Sequence, residues 1–331
     1  MSYSREKEVA IEAVSLAAAL CAQVRAEMVG AQSLEKDDKS PVTVADFGSQ
    51  ALICRCLSAA FPGDAIVAEE DAADLQKPEN SGRLAQVVDY VRRFEAGSTA
   101  AAVCEWIDAG RNSVAGRYWT LDPIDGTKGF LRNDQYAIAL ALVENGDVKV
   151  AALACPALPL DGGLSTAGDG STQAGTLFVA VRGAGAFMAS LGGDNFRPIR
   201  VAQDGNSAAS RFVESVEAGH GDQSLQESIA RAAGITQPAL RMDSQAKYGA
   251  VARGDAVLYL RLPSPKSPDY REKIWDHAAG ALVVEAAGGR VTDMNGQALD
   301  FAGDRQMRHN RGVVVSNGPL HEAVLAALAG A

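Results

Sequence analysis

The stretch Trp119-Thr120-Leu121-Asp122-Pro123-Ile124-Asp125-Gly126-Thr127-Lys128-Gly129-Phe130 ends an apolar run with two carboxylates three residues apart. Pro123 between them keeps the backbone out of a helix. Gly126 and Thr127 follow, where the chain must turn. Two aspartates so placed can share hard cations, while the Gly126 and Thr127 amides face an incoming phosphate. The plainer reading of a bare Asp-x-x-Asp is a capped turn with two hydrated side chains, and the flanking residues argue against it. Three more carboxylates pair with this window. Glu69 closes the short apolar run Ile66-Val67-Ala68, Asp276 follows Trp275, and Asp46 follows Thr43-Val44-Ala45. Taken singly, Glu69 also reads as part of a hydrated acidic run, and Asp276 and Asp46 as helix N-caps.

This inventory suits phosphate monoester hydrolysis. That reaction can need up to ~10²¹-fold acceleration, about 28 kcal/mol, of which one positioned acid or base supplies only ~10²–10⁴-fold. Carboxylate-held metals and amide donors must supply most of the remainder. Other phosphatase routes fit poorly. A haloacid-dehalogenase enzyme needs D-x-D-G-T, whereas two residues separate Asp122 from Asp125. A cysteine phosphatase needs C-x₅-R, and Cys104 to Arg111 is one residue too long. There is no Walker A Gly-Lys-Ser/Thr, so Thr127-Lys128-Gly129 is not a kinase phosphate loop. Clustered carboxylates without a His or Cys ligand set favour magnesium over zinc.

The chain resembles the lithium-sensitive, magnesium-dependent phosphatase superfamily of inositol monophosphatase and fructose-1,6-bisphosphatase. The resemblance rests on Ala68-Glu69-Glu70, Asp122-Pro123-Ile124-Asp125-Gly126-Thr127 and Trp275-Asp276-His277-Ala278-Ala279-Gly280. It runs from Pro41-Val42-Thr43 to Ser316-Asn317-Gly318. Within the superfamily the chain is most similar to the 3′(2′),5′-bisphosphate nucleotidases. That likeness lies in Thr127 to Arg132, Met242 to Tyr248, Tyr259 to Pro263 and Arg271 to Asp276. Inositol monophosphatases usually carry Thr-Asn-Phe where this chain has Thr127-Lys128-Gly129-Phe130.

The resemblance implies Glu69, Asp122, Asp125, Asp276 and the Ile124 carbonyl as ligands of two or three magnesium ions. Asp122 would bridge two ions and Asp276 would hold the second. Asp46 and Thr127 would activate the attacking water. His220, Ser244, Lys247 and Arg261 would hold the nucleotide, with Asp276 near its sugar and Gly126 and Thr127 on the phosphate. The implied reaction is hydrolysis of the 3′-phosphate of adenosine 3′,5′-bisphosphate to AMP, with 3′-phosphoadenosine 5′-phosphosulfate as a related substrate in sulfur assimilation. An inositol phosphate or polyphosphate phosphatase is the nearest alternative. A non-catalytic phosphonucleotide sensor is the alternative from another class, but it would have little reason to keep Asp46 and Thr127 beside the metal ligands.

The elements that must position these residues are legible in outline. Val9, Leu16, Leu20, Val24 and Met28 predict a long first helix, ended by the polar stretch Lys36 to Pro41. Pro41-Val42-Thr43 reads as extended, a second helix as 46–60, a strand as 66–68, and a helix as 84–94. Asn145-Gly146 between apolar runs 136–143 and 148–154 signals a hairpin, and Arg182 to Gly185 a second one between 176–181 and 186–188. A Gly-rich loop spans 160–175. Beyond residue 200, strands (212–215, 255–261, 312–316) alternate with helices (222–233, 276–287, 319–329). The expected fold is α/β, a two-domain αβαβα layering. A mainly antiparallel sheet is expected in residues 1–200, the metal-binding catalytic domain, and a mixed or parallel one in residues 201–331, the nucleotide-binding domain.

Composition sets the bounds. The 331 residues, 47% hydrophobic and 22% charged, are ordinary for a globular protein, and 31 basic against 41 acidic residues leave a net charge of −10. That balance disfavours nucleic acid and anionic membranes as partners, but not a small anionic substrate. The longest apolar stretch, Ala13 to Val24, is short of the ~20 residues a bilayer span needs, and the N-terminus lacks a secretory h-region. Cys21, Cys54, Cys56, Cys104 and Cys155 are scattered, as expected of reduced thiols in the cytoplasm.

Overall fold

A computed structural model describes residues 3–28, 40–161, 175–203, 210–217 and 222–330. Two helices come first, α1 (Ser4–Met28) and α2 (Ser40–Ala60). The first sheet joins β1 (Ala65–Ala68), β2 (Arg117–Asp125), β3 (Ala137–Glu144), β4 (Asp147–Pro159), β5 (Gly175–Val181), β6 (Gly185–Ser190) and β7 (Arg197–Ile199) in chain order. Only β1 and β2 run parallel. Between β1 and β2 lie α3 (Ser81–Arg92) and α4 (Ala100–Asp108), and α5 (Thr127–Leu131) follows β2.

The second sheet has the order β11-β12-β10-β8-β9 and is mixed. Its strands are β8 (Phe212–Glu214), β9 (Leu240–Arg241), β10 (Leu258–Arg261), β11 (Arg290–Thr292) and β12 (Val313–Ser316). The helices among them are α6 (Gln223–Ala232), α7 (Ala246–Ala252), α8 (Ala278–Ala286) and α9 (His321–Ala329).

Alternation along β3 shows how the layers form. Ile138, Leu140 and Leu142 face a core shared with α1 and α2, while Ala137, Ala139 and Ala141 face α7 and α8. Large residues fill the first interface and small ones let α8 approach closely. Because α8 lies between the two sheets, its apolar residues are buried all round. A third core, under α6 and α9, closes the far face of the second sheet. The layers therefore read helices, sheet, helices, sheet, helices, as expected. α1 is long and apolar enough to cross a bilayer by length and composition alone, yet Ala13, Val14, Ala17, Leu20 and Val24 are buried in the first core.

Two boundaries differ from expectation. The Pro41-Val42-Thr43 segment is helical, because a proline in a first turn has no N–H to lose there. Asp276 is not the cap of α8. It ends a 3₁₀ turn (Ile274–Asp276), and α8 starts at Ala278. Three short helices, α4, α5 and α7, were not foreseen. The polar stretch Lys36 to Lys39 and most of the Gly-rich loop lie outside the described residues.

A buried histidine in the second sheet sets a pH limit on stability. His321 is fully buried; Ser316 Oγ lies 2.8 Å from Nδ1 and Thr292 Oγ1 lies 2.9 Å from Nε2. Thr292 already donates to the Asp293 carbonyl, so it accepts from Nε2–H, and Ser316 donates to Nδ1. The neutral ring is satisfied and the cation is not. Burial, then Arg290, pushes His321 down to about 4. An unfolded chain takes up this proton near pH 6.5, the folded chain only near pH 4. The contribution is therefore whole above pH 6.5 and is lost as pH falls towards 4, about 3 kcal/mol in all. Urea unfolding midpoints should fall more steeply over this window for the wild type than for His321→Gln; equal slopes would contradict it.

Candidate active site

The first sheet brings Glu69 to the two aspartates. Parallel pairing sets Ala68 opposite Leu121, so Glu69 leaves β1 abreast of Asp122. In an unbroken strand, residues three apart face opposite sides. Here Asp122 pairs with Ala139 but Asp125 with Ala137, so β2 carries one extra residue, and the bulge turns both carboxylates to one side. Pro123 has no N–H to lose at the bulge, and its carbonyl accepts from Ser49 Oγ on α2 at 2.9 Å. Gly126 then turns the chain with φ +90°, where a Cβ would also lie 2.9 Å from that of Ser244. At Gly129, a Cβ would lie 2.0 Å from the Gln135 carbonyl oxygen.

Three tethers fix the carboxylates. From α2, Gln50 donates to the Glu70 carbonyl at 2.7 Å and accepts from the Glu70 N–H at 3.0 Å, holding the acidic turn. The Gln245 N–H donates to Asp125 Oδ2 at 2.6 Å. The Gln245 side chain also donates to the Trp275 carbonyl at 2.9 Å and accepts from the Gly280 N–H at 3.0 Å. One glutamine thus joins Asp125 to the turn that presents Asp276.

The cluster is a concentration of unbalanced negative charge. Asp122 is 2% exposed, and its Oδ1 is buried without a hydrogen-bond partner. Burial, then Glu69, Asp125, Asp276 and Asp46, raises it well above the carboxylate range. Glu69 is exposed along the residue, but its carboxyl turns in to Asp122; burial there, then Glu70 and Asp125, pushes it up to about 7. Burial also pushes Asp276 up to about 7, against the pull of His277 and with the help of Asp125 and Glu69. Asp125 is raised by burial despite Lys247 and the Gln245 amide. Hard oxygen donors, an orphaned buried carboxylate oxygen and mutual repulsion fit a multivalent hard cation. The ligand atoms of Glu272, Asp276 and His277 also lie within 4.8 Å of one another. Both His277 nitrogens are engaged, however, Nδ1 with Tyr248 Oη at 2.6 Å and Nε2 with Glu272 at 3.2 Å, so the imidazole is no ligand.

A cleft of about 350 Å³ opens beside the cluster, between α5, α7 and β10. Asp125, Gly126, Thr127, Ser244, Lys247, Arg261 and Asp276 all line it. Its cations differ in their state. Arg261 Nε is held by Glu272 at 3.1 Å, and against the upward push of burial His277 and Arg261 hold Glu272 down to about 2. Lys128 pairs with Glu217 at 2.8 Å, and Arg132 pairs with Glu217 and Asp243. Lys247 is 3% exposed and pairs with no carboxylate among the described residues. Its Nζ lies 3.4 Å from the Met242 carbonyl and 5.1 Å from the Tyr259 ring centre, and burial lowers it to about 8.

Asp46 stands apart from this cleft. It lies inside α2, not at its start, so it does not cap that helix. It lines a neighbouring cavity of about 300 Å³ with Glu70, and burial, then Glu70 and Glu69, holds it well above the usual range. No hydrogen bond joins Asp46 to Thr127 among the described residues. His220 lies outside the described residues. A larger cavity, about 590 Å³ between α6 and β9, has paired charges on its walls and none of the clustered carboxylates. The sequence reading missed Glu272, His277, Tyr248, Gln245 and Glu217 as parts of the site. All but Glu217 fall inside stretches that carried the family resemblance, which was the available signal.

The chain is similar to known proteins over nearly its whole length. The profile of the inositol monophosphatase family matches residues 4–331. A protein of Schizosaccharomyces pombe named 3′(2′),5′-bisphosphate nucleotidase is 44% identical, over 99% of this chain and 96% of that protein. A 3′(2′),5′-bisphosphate nucleotidase 1 of Arabidopsis thaliana is 42% identical, over 99% of this chain and 96% of that protein. Among solved structures, an inositol monophosphatase from Zymomonas mobilis superposes with a TM-score of 0.64 at 18% identity, over 99% of both chains, which speaks to the fold. With the carboxylate cluster and the layered fold in place, the chain belongs to the inositol monophosphatase family.

Proposed function

We propose that this chain is a magnesium-dependent 3′(2′),5′-bisphosphate nucleotidase that converts adenosine 3′,5′-bisphosphate to AMP and phosphate. The observation that carries the reading is one cleft lined both by the carboxylate cluster, which would bind a phosphate through its metal, and by Lys247, buried and without an ion-pair partner among the described residues. A substrate with two phosphates satisfies both; a simple monophosphate satisfies one. The names of the relatives at 42–44% identity support the same substrate. The five cysteines are free, which supports a cytoplasmic location.

Glu69, Asp122, Asp125, Asp276 and the Ile124 carbonyl would hold two or three magnesium ions. Bound there, the metal would offset phosphoryl charge and make the attacking water more acidic. The N–H groups of Gly126 and Thr127, at the start of α5, donate to the phosphoryl oxygens. Asp46 and Thr127 orient the water and take its proton. Lys247 and Arg261 engage the second phosphate and the nucleoside end, with Glu272 keeping the Arg261 guanidinium turned to the cleft.

Phosphate release measured on adenosine 3′,5′-bisphosphate, inositol monophosphate and a simple monophosphate tests the reading. EDTA should abolish release and millimolar magnesium restore it. Lys247→Ala should lower kcat/KM for the bisphosphate by ~10- to 150-fold, the worth of a lost charge-assisted hydrogen bond. The simple monophosphate should be little affected. A wild-type preference for inositol monophosphate would transfer the function to that substrate class, and absence of turnover would leave a phosphonucleotide sensor.

A further inference from the structure

Glu69 and Asp276 come from distant parts of the chain, yet both must meet Asp122 in one metal cluster to within a fraction of an ångström. We propose that Arg305 is the positioning residue that locks these two carboxylates into one frame. This inference rests on the ligand assignment proposed above.

β1 is the last strand of its sheet, with β2 on one side and, among the described residues, a single bridge from Val67 to Arg111 on the other. In a strand, the N–H and C=O of one residue point to the same side. The Ala68 N–H points outward and donates to the Gly110 carbonyl at 2.8 Å. The Ala68 carbonyl therefore also points outward, one residue before Glu69. There it accepts from Arg305 Nη2, 237 residues further along the chain. The guanidinium takes the place of the next rung of a sheet.

The same guanidinium lies against the other carboxylate's support. Its central carbon is 5.2 Å from the centre of the Trp275 ring, and Trp275 immediately precedes Asp276. The backbone of this segment repeats the link. The Arg305 carbonyl accepts from the Ile274 N–H at 3.1 Å, and the Met307 N–H donates to the Glu272 carbonyl at 2.9 Å. Lys273 and Gln306 sit opposite each other as an antiparallel bridge between these bonds. Residues 305–307 thus run beside 272–274, the segment leading to Asp276, while the Arg305 side chain reaches across to β1.

Nothing else explains this arginine. It makes no ion pair among the described residues, and its Nε is buried without an acceptor. An arginine buried for charge balance would have turned to a carboxylate. This one is oriented by a carbonyl and a ring face, which only a planar fork can engage together; a lysine could donate but not stack.

The test is magnesium binding by titration calorimetry on metal-stripped protein, with unfolding in EDTA as the control for folding. Arg305→Ala should raise the magnesium dissociation constant by ~10-fold or more, as loss of an outer support does at other metal sites. kcat should fall at fixed magnesium while KM for the nucleotide holds. Arg305→Lys should fall between the two, and it serves alone if Arg305→Ala does not fold. Glu69→Gln is the reference for loss of a ligand. Wild-type magnesium affinity in a folded Arg305 variant, with Glu69→Gln weakened, overturns the positioning role alone, even if the variant unfolds more easily. Unchanged affinity in Glu69→Gln overturns the ligand assignment and the positioning role with it.

Discussion

Asp122→Asn should abolish phosphate release and yet make the metal-free protein harder to unfold. Asp122 is nearly inaccessible, one of its oxygens is unpartnered, and its charged neighbours are Glu69, Asp125, Asp276 and Asp46. Among the described residues no cation pairs with it. Burial and these neighbours raise the Asp122 carboxyl well above its unfolded value, so the metal-free fold must either hold the charge against repulsion or take up a proton, and Asn carries neither cost. A gain of about 1–3 kcal/mol in EDTA is expected, a trade of activity for stability common at working sites. The loss of rate should be larger. Metal stabilisation of the transition state is worth several kcal/mol, and ~4 kcal/mol alone is about 10³-fold. In saturating magnesium the order of stabilities should reverse, because only the wild type gains fully from binding. Urea unfolding with and without metal, beside phosphate release, reads all three effects. A variant less stable than wild type in EDTA, or one keeping a tenth of its kcat, would refute the cluster's role.

Asp46→Asn and Thr127→Ala should each lower kcat by ~10²–10⁴-fold with little change in KM, the signature of a group that acts in the transition state. The placement of Asp46 removes its structural excuse. Within a helix an aspartate is a poor former, and beside Glu69 and Glu70 it adds repulsion. Such a residue weakens the fold, so its presence argues for chemistry. Thr127 differs in being exposed at the cleft, at the first position of α5, where a hydroxyl costs little. The two variants should therefore differ in stability: Asp46→Asn neutral or stabilising, Thr127→Ala neutral. Near-normal kcat in a folded Asp46→Asn would release Asp46 from the mechanism.

Much of the fold was legible because its signals act over a few residues. Asn145 and Gly146 take φ of 51° and 78°, as a two-residue hairpin turn requires, and the strands beside them follow from it. The alternation after residue 200 gave the mixed sheet for a similar reason: apolar period and turn residues are local. The carboxylates could be named too, since each ends an apolar run. What sequence spacing could not say is which way they point. Asp122 and Asp125, three apart in a strand, would face opposite sides, and only pairing with β3 shows the bulge that aligns them. Likewise Pro41 suggested extended chain until the first turn of α2 took it in. Whether Lys247 is a surface charge or an unpaired buried one depends on Asp125, Asp243 and Arg261, none adjacent to it in sequence.

Residue types and short spacings thus determined the chemistry on offer: hard oxygen ligands, a phosphate-facing turn, and cations for a second anion. The tertiary structure decided their arrangement. Glu69 meets Asp122 through a parallel pairing, Asp125 meets the Asp276 turn through Gln245, and Ala68 meets Arg305 across 237 residues. Propensity and turn chemistry reach only a few residues along the chain, whereas burial, repulsion and metal-ligand geometry depend on distances in space. Those distances exist only once the layers have closed.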